Sequence, residues 1–471
     1  MPARPLRAAL LPRALLAALA IAGVLSLAAG PARAAAEVQR VVSPGGIEAW
    51  LVESHAVPVI AMDFAFEGGT ALDPEGKEGL ANLASATLDE GAGDLDSQAF
   101  RQRLADNGIR LRFSAGTDTF SGSLQTVTEK AEEAFSLTAL ALTAPRFDEA
   151  AVARMKAAIG AEIRRNVADP DWLSRRALYE RVFAGHPYGR PSRGTLPTLA
   201  SLTPEDLRGF VARRLAKDNL VVGVAGDITP EELGSVLDRV FGGLPDTAAP
   251  VDIPEIEAPS AAGETILVER AGAQSTLFIA QPGLRRDDPD WYAATVLNSI
   301  LGAGVFTSRL GTELREERGL TYGIYSRLAA WDHADLWLVS GSLSNANVAE
   351  ALATIREVWS GVAEDGVTRA ELDDAKTYLT GSFPLNFTST DSLSGALVAM
   401  QRDGLGIDYL DRRNGYVEDV TLDDVNALAA RLLDAKAMTT VVAGDPPEGA
   451  VAADETLPVD ALAARELGEG S

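Results

Sequence analysis

SLTPEDLRGFVARRLAKDNLVVGVAGD, Ser201–Asp227, recurs at an offset of 218 residues as DVTLDDVNALAARLLDAKAMTTVVAGD, Asp419–Asp445. The two stretches align without gaps. Nine of 27 positions are identical: Thr203/Thr421, Asp206/Asp424, Ala212/Ala430, Arg213/Arg431, Leu215/Leu433 and a shared VAGD ending. Each predicts a helix capped by a Thr hydroxyl, then a strand ending in Gly-Asp. The spacing is too long for a solenoid repeat and marks a duplicated domain.

Working outward, Gly242–Glu264 is rich in Pro, Ala and acid and has no sustained period. It reads as an extended linker between the copies. The first domain then covers 35–241 and the second 265–447, followed by an acidic tail over 448–471, expected to be flexible. Strand signals open both copies, at Glu48–Val52 and Pro58–Glu67 and again at Thr265–Glu269 and Ser275–Gln281. Helical periodicity follows at Glu78–Leu88, Ser97–Asn107, Glu129–Thr143 and Asp148–Val167. It returns at Trp291–Ile300, Phe306–Glu317 and Val348–Val362. Strand and helix mix without a strict βαβ rhythm. The expected class is α+β, with two similar domains, each a mainly antiparallel sheet packed with helices.

The N-terminus carries Arg4, Arg7 and Arg13, an apolar run Ala14–Ala29 and the triplet Ala32-Arg33-Ala34. This is the layout of a secretory signal peptide over 1–34, cleaved near Ala34, and it predicts a periplasmic protein. The apolar run is short for a membrane span. Cleavage removes four Arg and no acid, which deepens the formal charge from −25 to −29. So acidic a chain will not hold a nucleic-acid backbone by bulk electrostatics. It has no cysteine, which excludes disulfides, thiol catalysis and lipid attachment at a Cys. Its three histidines, His55, His186 and His333, are far apart and show no metal-ligand spacing.

Glu78–Gly93, EGLANLASATLDEGAG, reads as a helix whose Leu80, Leu83 and Leu88 share an apolar side. Asn82, Ser85 and Ala86 stand where a one-face site could be built. The longer run Phe64–Gly93 resembles the metal-site region of the pitrilysin/insulinase family of zinc peptidases, whose motif is H-x-x-E-H. GHPYGRPSRGT (Gly185–Thr195), DNLVVGVAGDITPEEL and LGAGVFTSRLGTELREERGLTYGIYS (Leu301–Ser326) resemble further family stretches, in the right order. The chemistry of that family needs two His at i and i+4 on one helix face, a Glu as base, and a distant Glu as third ligand. The resemblance puts those positions at Asn82, Ser85 and Ala86, all lost, with Glu162 kept as the later ligand. One carboxylate cannot hold catalytic zinc, so no cofactor is expected on this chain. No rescue motif or nucleophile elbow is present.

LREERGLTY holds Arg315 and Tyr322. In the family, the resemblance implies, an Arg and a Tyr at this spacing hold the substrate peptide and hydrogen-bond the scissile carbonyl or its oxyanion. A guanidinium and a phenol are suited to oxygen that gains charge. Arg318 lies nearer to Tyr322, but the spacing favours Arg315. Gly302, Gly304 and Phe306 read as a supporting loop, and His186 and Tyr188 as a structural turn. The implied protein is a non-catalytic subunit of a two-chain zinc metallopeptidase. Its partner would carry H-x-x-E-H and the zinc, in a heterodimer or larger assembly acting on peptides, with no nucleic acid and no membrane span after cleavage. A catalytically inactive peptide-binding or scaffold protein of the bacterial envelope, acting as a homodimer, remains the alternative. A cryptic peptidase with an unusual metal site is a third reading.

Overall fold

Val59–Glu67 (VIAMDFAFE) and Thr439–Gly444 (TTVVAG) lack an apolar/polar alternation, and both are buried almost throughout. Strands read this way when both faces of their sheet are covered. The structure, a computed structural model, describes residues 37–256, 260–304 and 307–468, and Val38 onward forms one compact unit. The signal peptide expected over 1–34 lies outside the described residues.

Twelve strands are described: β1 (Gln39–Val42), β2 (Glu48–Glu53), β3 (Val59–Glu67), β4 (Arg110–Ala115), β5 (Thr119–Val127), β6 (Leu220–Gly226), β7 (Thr265–Glu269), β8 (Gln274–Pro282), β9 (Thr321–Ala330), β10 (Asp335–Ser344), β11 (Thr439–Gly444) and β12 (Glu455–Pro458). They form two six-stranded sheets, ordered β1-β2-β6-β3-β5-β4 and β12-β7-β11-β8-β10-β9. Without the outer strands β1 and β12 the two orders coincide. β2·β6 and β7·β11 are parallel, and the other equivalent pairs are antiparallel. The α+β duplication expected from the sequence is therefore present strand by strand.

The helices that position the sites are α1 (Leu80–Ser85), α2 (Glu149–Asn166), α3 (Pro170–Val182) and α4 (Pro204–Arg214) in the first half. The second half contributes α5 (Thr390–Arg402), α6 (Leu422–Leu432) and α7 (Val459–Leu467). α4 and α6 are the repeated pair. Both open with reciprocal caps: the Thr203 hydroxyl accepts from the Asp206 amide at 3.2 Å, and the Thr421 hydroxyl from the Asp424 amide at 3.1 Å. In each, the Asp carboxylate accepts the Thr amide at 2.8 Å.

Each sheet buries one face on helices of its own half. The other face is covered by a helix from the opposite half. α3 packs on β7, β8 and β11, setting Leu173, Ala177, Leu178 and Val182 among Val268, Phe278 and Val441. α5 packs on β2, β3 and β6, where Leu397 and Met400 meet Trp50, Val52 and Ala225. A close approach makes this possible at Gly223, where a Cβ would stand 2.4 Å from the Ser394 carbonyl oxygen and 2.8 Å from Leu397 Cβ. Ser394, fully buried, donates its hydroxyl to Asp63 on β3. Burial pushes the Asp63 carboxyl up to about 6.

The described residues of the expected acidic tail, 448–468, differ from that expectation. They form the edge strand β12, parallel to β7, and α7, which packs on α2 and α3. Arg176 on α3 pairs with Glu466 at 2.9 Å, which fixes α7 in place. The acidic composition hid a short alternating strand and an amphipathic turn. Between the halves, residues 245–256 form no helix or strand and are pinned by the amides of Ala249 and Ile256, bonded to the Arg213 and His333 carbonyls.

Gly223→Val is expected to destabilise the protein by about 1–3 kcal/mol, because backbone cannot move aside as a side chain can. Urea unfolding measures this. For Asp63, folding raises an acid pKa, so its favourable contribution is complete below about pH 4 and is lost as pH rises through about 6. Asp63→Asn keeps an acceptor for Ser394. It is expected to flatten that slope and raise stability at pH 8 by on the order of 2 kcal/mol, measured by unfolding at pH 5 and pH 8.

Candidate functional site

The helix expected over Glu78–Leu88 is shorter, with regular turns only over Leu80–Ser85. Gly79, at φ +91°, opens it, and a Cβ there would stand 2.5 Å from the Arg193 carbonyl oxygen. The buried Asp73 carboxylate caps the free amides, accepting from Gly79 at 2.8 Å and Ala81 at 2.9 Å. Burial nevertheless pushes Asp73 up to about 7. Neither Asp73 nor its capping role was legible in the sequence.

Of the three positions that the resemblance assigns to the motif, Asn82 and Ala86 are half-buried, while Ser85 is buried and returns its hydroxyl to the Asn82 carbonyl at 2.8 Å. That bond consumes the only hydroxyl of the three within its own helix. Glu162 lies on α2, and α2 packs on α1. The carboxylate is engaged by Arg193 at 3.1 Å. The sequence offered no signal for this pair. Among the described residues no three His, Asp or Glu side chains are grouped so that they could hold a metal ion.

The histidines serve separate structural contacts. His186 is buried, its Nε2 lies 2.9 Å from the Pro254 carbonyl, and its Nδ1 accepts the Tyr188 amide at 3.2 Å. Burial lowers its pKa, which suits a neutral ring with the proton on Nε2. Tyr188 donates to Asp118 at 2.5 Å and accepts the His333 amide, completing the turn expected from GHPYG. His55 is exposed and bridges Asp227 and Glu53, which raise its pKa.

In the second half, Arg315 lies half-buried on the π-helical turns of Thr312–Glu317, which pack against β9. Tyr322 is the second residue of β9 and 91% exposed. Arg315 and Tyr322 thus stand on adjoining elements, in the half opposite the emptied motif. β9 is an outer strand, as is β4 in the first sheet, so each sheet presents one edge to a further strand there. Arg318 is surrounded by Glu313 at 3.4 Å and by Glu350 and Glu357 at 3.8 Å, which makes it a surface ion-pair residue. A Cβ on Gly302 would meet the Ser326 hydroxyl at 2.6 Å, so the π-helical turns Ser299–Ala303, where a loop was expected, lie directly against β9. Phe306 lies outside the described residues.

The fold is a duplicated α+β chain of two similar six-stranded sheets, of metallopeptidase-like class. Residues 201–379 match the family described as the peptidase M16 inactive domain. The non-peptidase homolog YmxG of Helicobacter pylori is 26% identical over 376 residues, 79% of this chain and 86% of that protein. An uncharacterized zinc protease, YmxG of Bacillus subtilis, is 29% identical over 292 residues, 61% of this chain and 69% of that one. The crystal structure of a peptidase M16 inactive domain from Pseudomonas fluorescens matches with a TM-score of 0.81 at 29% identity, covering 87% of this chain and 98% of that one. Residues 201–379 thus match a peptidase M16 inactive domain, and most of the chain is similar in sequence and fold to a non-peptidase homolog and to a solved M16 inactive domain.

Glu162 and Arg193 are both more than a third exposed, so their pair contributes at most about 1 kcal/mol. Glu162→Gln is expected to leave thermal unfolding within that margin and the zinc content of the purified chain unchanged. A large loss of bound zinc on this substitution would show Glu162 acting as a ligand.

Proposed function

We propose that this chain is the non-catalytic subunit of a two-chain zinc peptidase, supplying Arg315 and Tyr322 to peptide hydrolysis carried out on a partner. The coarser statement is direct: the chain is an M16-type pseudo-peptidase, because none of Asn82, Ser85 or Ala86 can ligate zinc or move a proton at neutral pH. The observation that carries the finer reading is Tyr322, whose phenol stands almost fully exposed on an edge strand with no hydrogen bond among the described residues. A tyrosine exposed beside a guanidinium-bearing helix has an apolar ring and a polar tip that suit it to contact a partner or substrate.

In this reading a peptide adds as a strand to a free sheet edge, and main-chain hydrogen bonds hold it without demanding a particular sequence. The Tyr322 phenol and Arg315 guanidinium then donate to the scissile carbonyl oxygen as it gains negative charge. Zinc and the general base belong to the partner chain, which carries H-x-x-E-H. The signal-peptide layout supports a periplasmic site of action. No helix among the described residues is long and apolar enough to cross a membrane.

Adding the purified chain to its H-x-x-E-H partner is expected to raise peptidase activity. Arg315→Ala and Tyr322→Phe are each expected to lower that activity on the order of 10²–10³-fold, mainly in kcat. Activity indifferent to the added chain or to both substitutions sinks this reading. It would favour a peptide-capturing homodimer instead.

A further inference from the structure

Although the protein is strongly acidic, one cavity in the first half is dominated by arginine. A space of about 300 Å³ opens between the end of α2, one side of α3 and the loop 187–194, and its lining includes Arg175, Arg176, Arg190 and Arg193. The one lining carboxylate is Glu466, brought in by α7. That acid is already used, since it is buried and accepts from Arg176 Nε at 2.9 Å.

The remaining charge does not balance. Arg176 also donates to the Gly189 carbonyl, and Arg193 is matched by Glu162. Arg190 meets only a neutral group, the Asp73 carbonyl oxygen, at 3.2 Å. Arg175 has no hydrogen bond or ion pair among the described residues. Two guanidiniums thus reach the cavity without a carboxylate, and each offers five N–H donors, most of them unused. The rest of the wall is mixed: Ile163, Trp172, Pro187 and Pro191 form an apolar side, and Thr70, Thr117, Asn166 and Ser192 add uncharged polar groups. Guanidiniums match a carboxylate in a planar, two-pronged geometry, and the Trp172 and proline side of the wall gives a hydrocarbon body a surface that a bare inorganic anion would leave unused. A volume of about 300 Å³ lies at the small end of ligand sites.

We propose that this cavity is a binding site for a carboxylate carried on an apolar body, with Arg175 and Arg190 as the anion-pairing residues. The same chemistry is offered by a free aromatic or aliphatic acid and by the C-terminus of a peptide ending in an apolar residue. At such short range, pairing with two guanidiniums outweighs the overall negative charge, which is screened beyond about 8–10 Å in salt. The site needs neither a partner chain nor peptide hydrolysis, so it stands or falls apart from the role given to Arg315 and Tyr322.

Calorimetry on the full chain tests it with four probes: 3-phenylpropionate, its amide, acetyl-Ala-Ala-Phe and the amide of that peptide. Each free acid is expected to bind at least about tenfold tighter than its amide. Arg175→Ala and Arg190→Gln are each expected to weaken the acids about tenfold while thermal unfolding stays that of the unmodified protein. The Gln can still donate to the Asp73 carbonyl, and Arg175 is exposed, so folding is spared. Tighter binding of the peptide acid than of phenylpropionate supports the site as a peptide C-terminus pocket. The reverse order supports it as a small-acid site. Equal affinity for acid and amide, no saturable binding of any probe, inorganic phosphate binding as tightly as the acids, or affinity unchanged in Arg175→Ala would each overturn the proposal.

Discussion

The exchange of α3 and α5 between the two halves is the constraint on which the rest depends. Each sheet has one face that its own half cannot cover, and the opposite half supplies the missing helix. Every buried Leu in those contacts contributes about 1.5–3 kcal/mol against exposure. Neither half can leave without exposing a sheet face. The relation between the halves is therefore fixed by core packing rather than by the irregular segment that joins them. A fixed relation is useful to a protein whose features lie on separate halves: the emptied motif helix on one, Arg315 and Tyr322 on the other.

The same exchange explains where sequence reasoning stopped. The repeat Ser201–Asp227/Asp419–Asp445 exposed the duplication, because a Thr cap, an apolar helix face and a strand ending in Gly-Asp are local signals. Strands such as β3 and β8 were also legible, within a residue or two, from their apolar runs. The role of α3 was not. PDWLSRRALYERV spreads its apolar residues around the helix with little one-sided bias, and nothing in it says that Leu173 and Leu178 face the other half's sheet. β12 and α7 were missed for a similar reason, since an acidic stretch can order when an edge strand and Arg176 await it.

At the helix carrying Asn82, Ser85 and Ala86, the family resemblance implied a loss of ligands but said nothing of how these side chains are satisfied. A helix built around a metal has polar side chains that need a partner. Asn82, Ser85 and Ala86 carry no such need, and Ser85 satisfies itself on the Asn82 carbonyl. Glu162 keeps a carboxylate that would otherwise face its neighbours uncompensated, and Arg193 now supplies the opposite charge. Both partners come from distant positions in the chain, and pairs of that kind leave no trace in spacing. Arg315 and Tyr322 were identified through family resemblance. The structure adds that Tyr322 is exposed on an edge strand and that Arg318 is occupied by acids.

The account divides a peptidase between two chains: a scaffold here, the metal elsewhere. Native mass spectrometry of the protein isolated from its own host measures that division directly. The account predicts a complex with a second, different chain and one zinc per pair. A metal-free homodimer, or zinc bound once per copy of this chain, would contradict it.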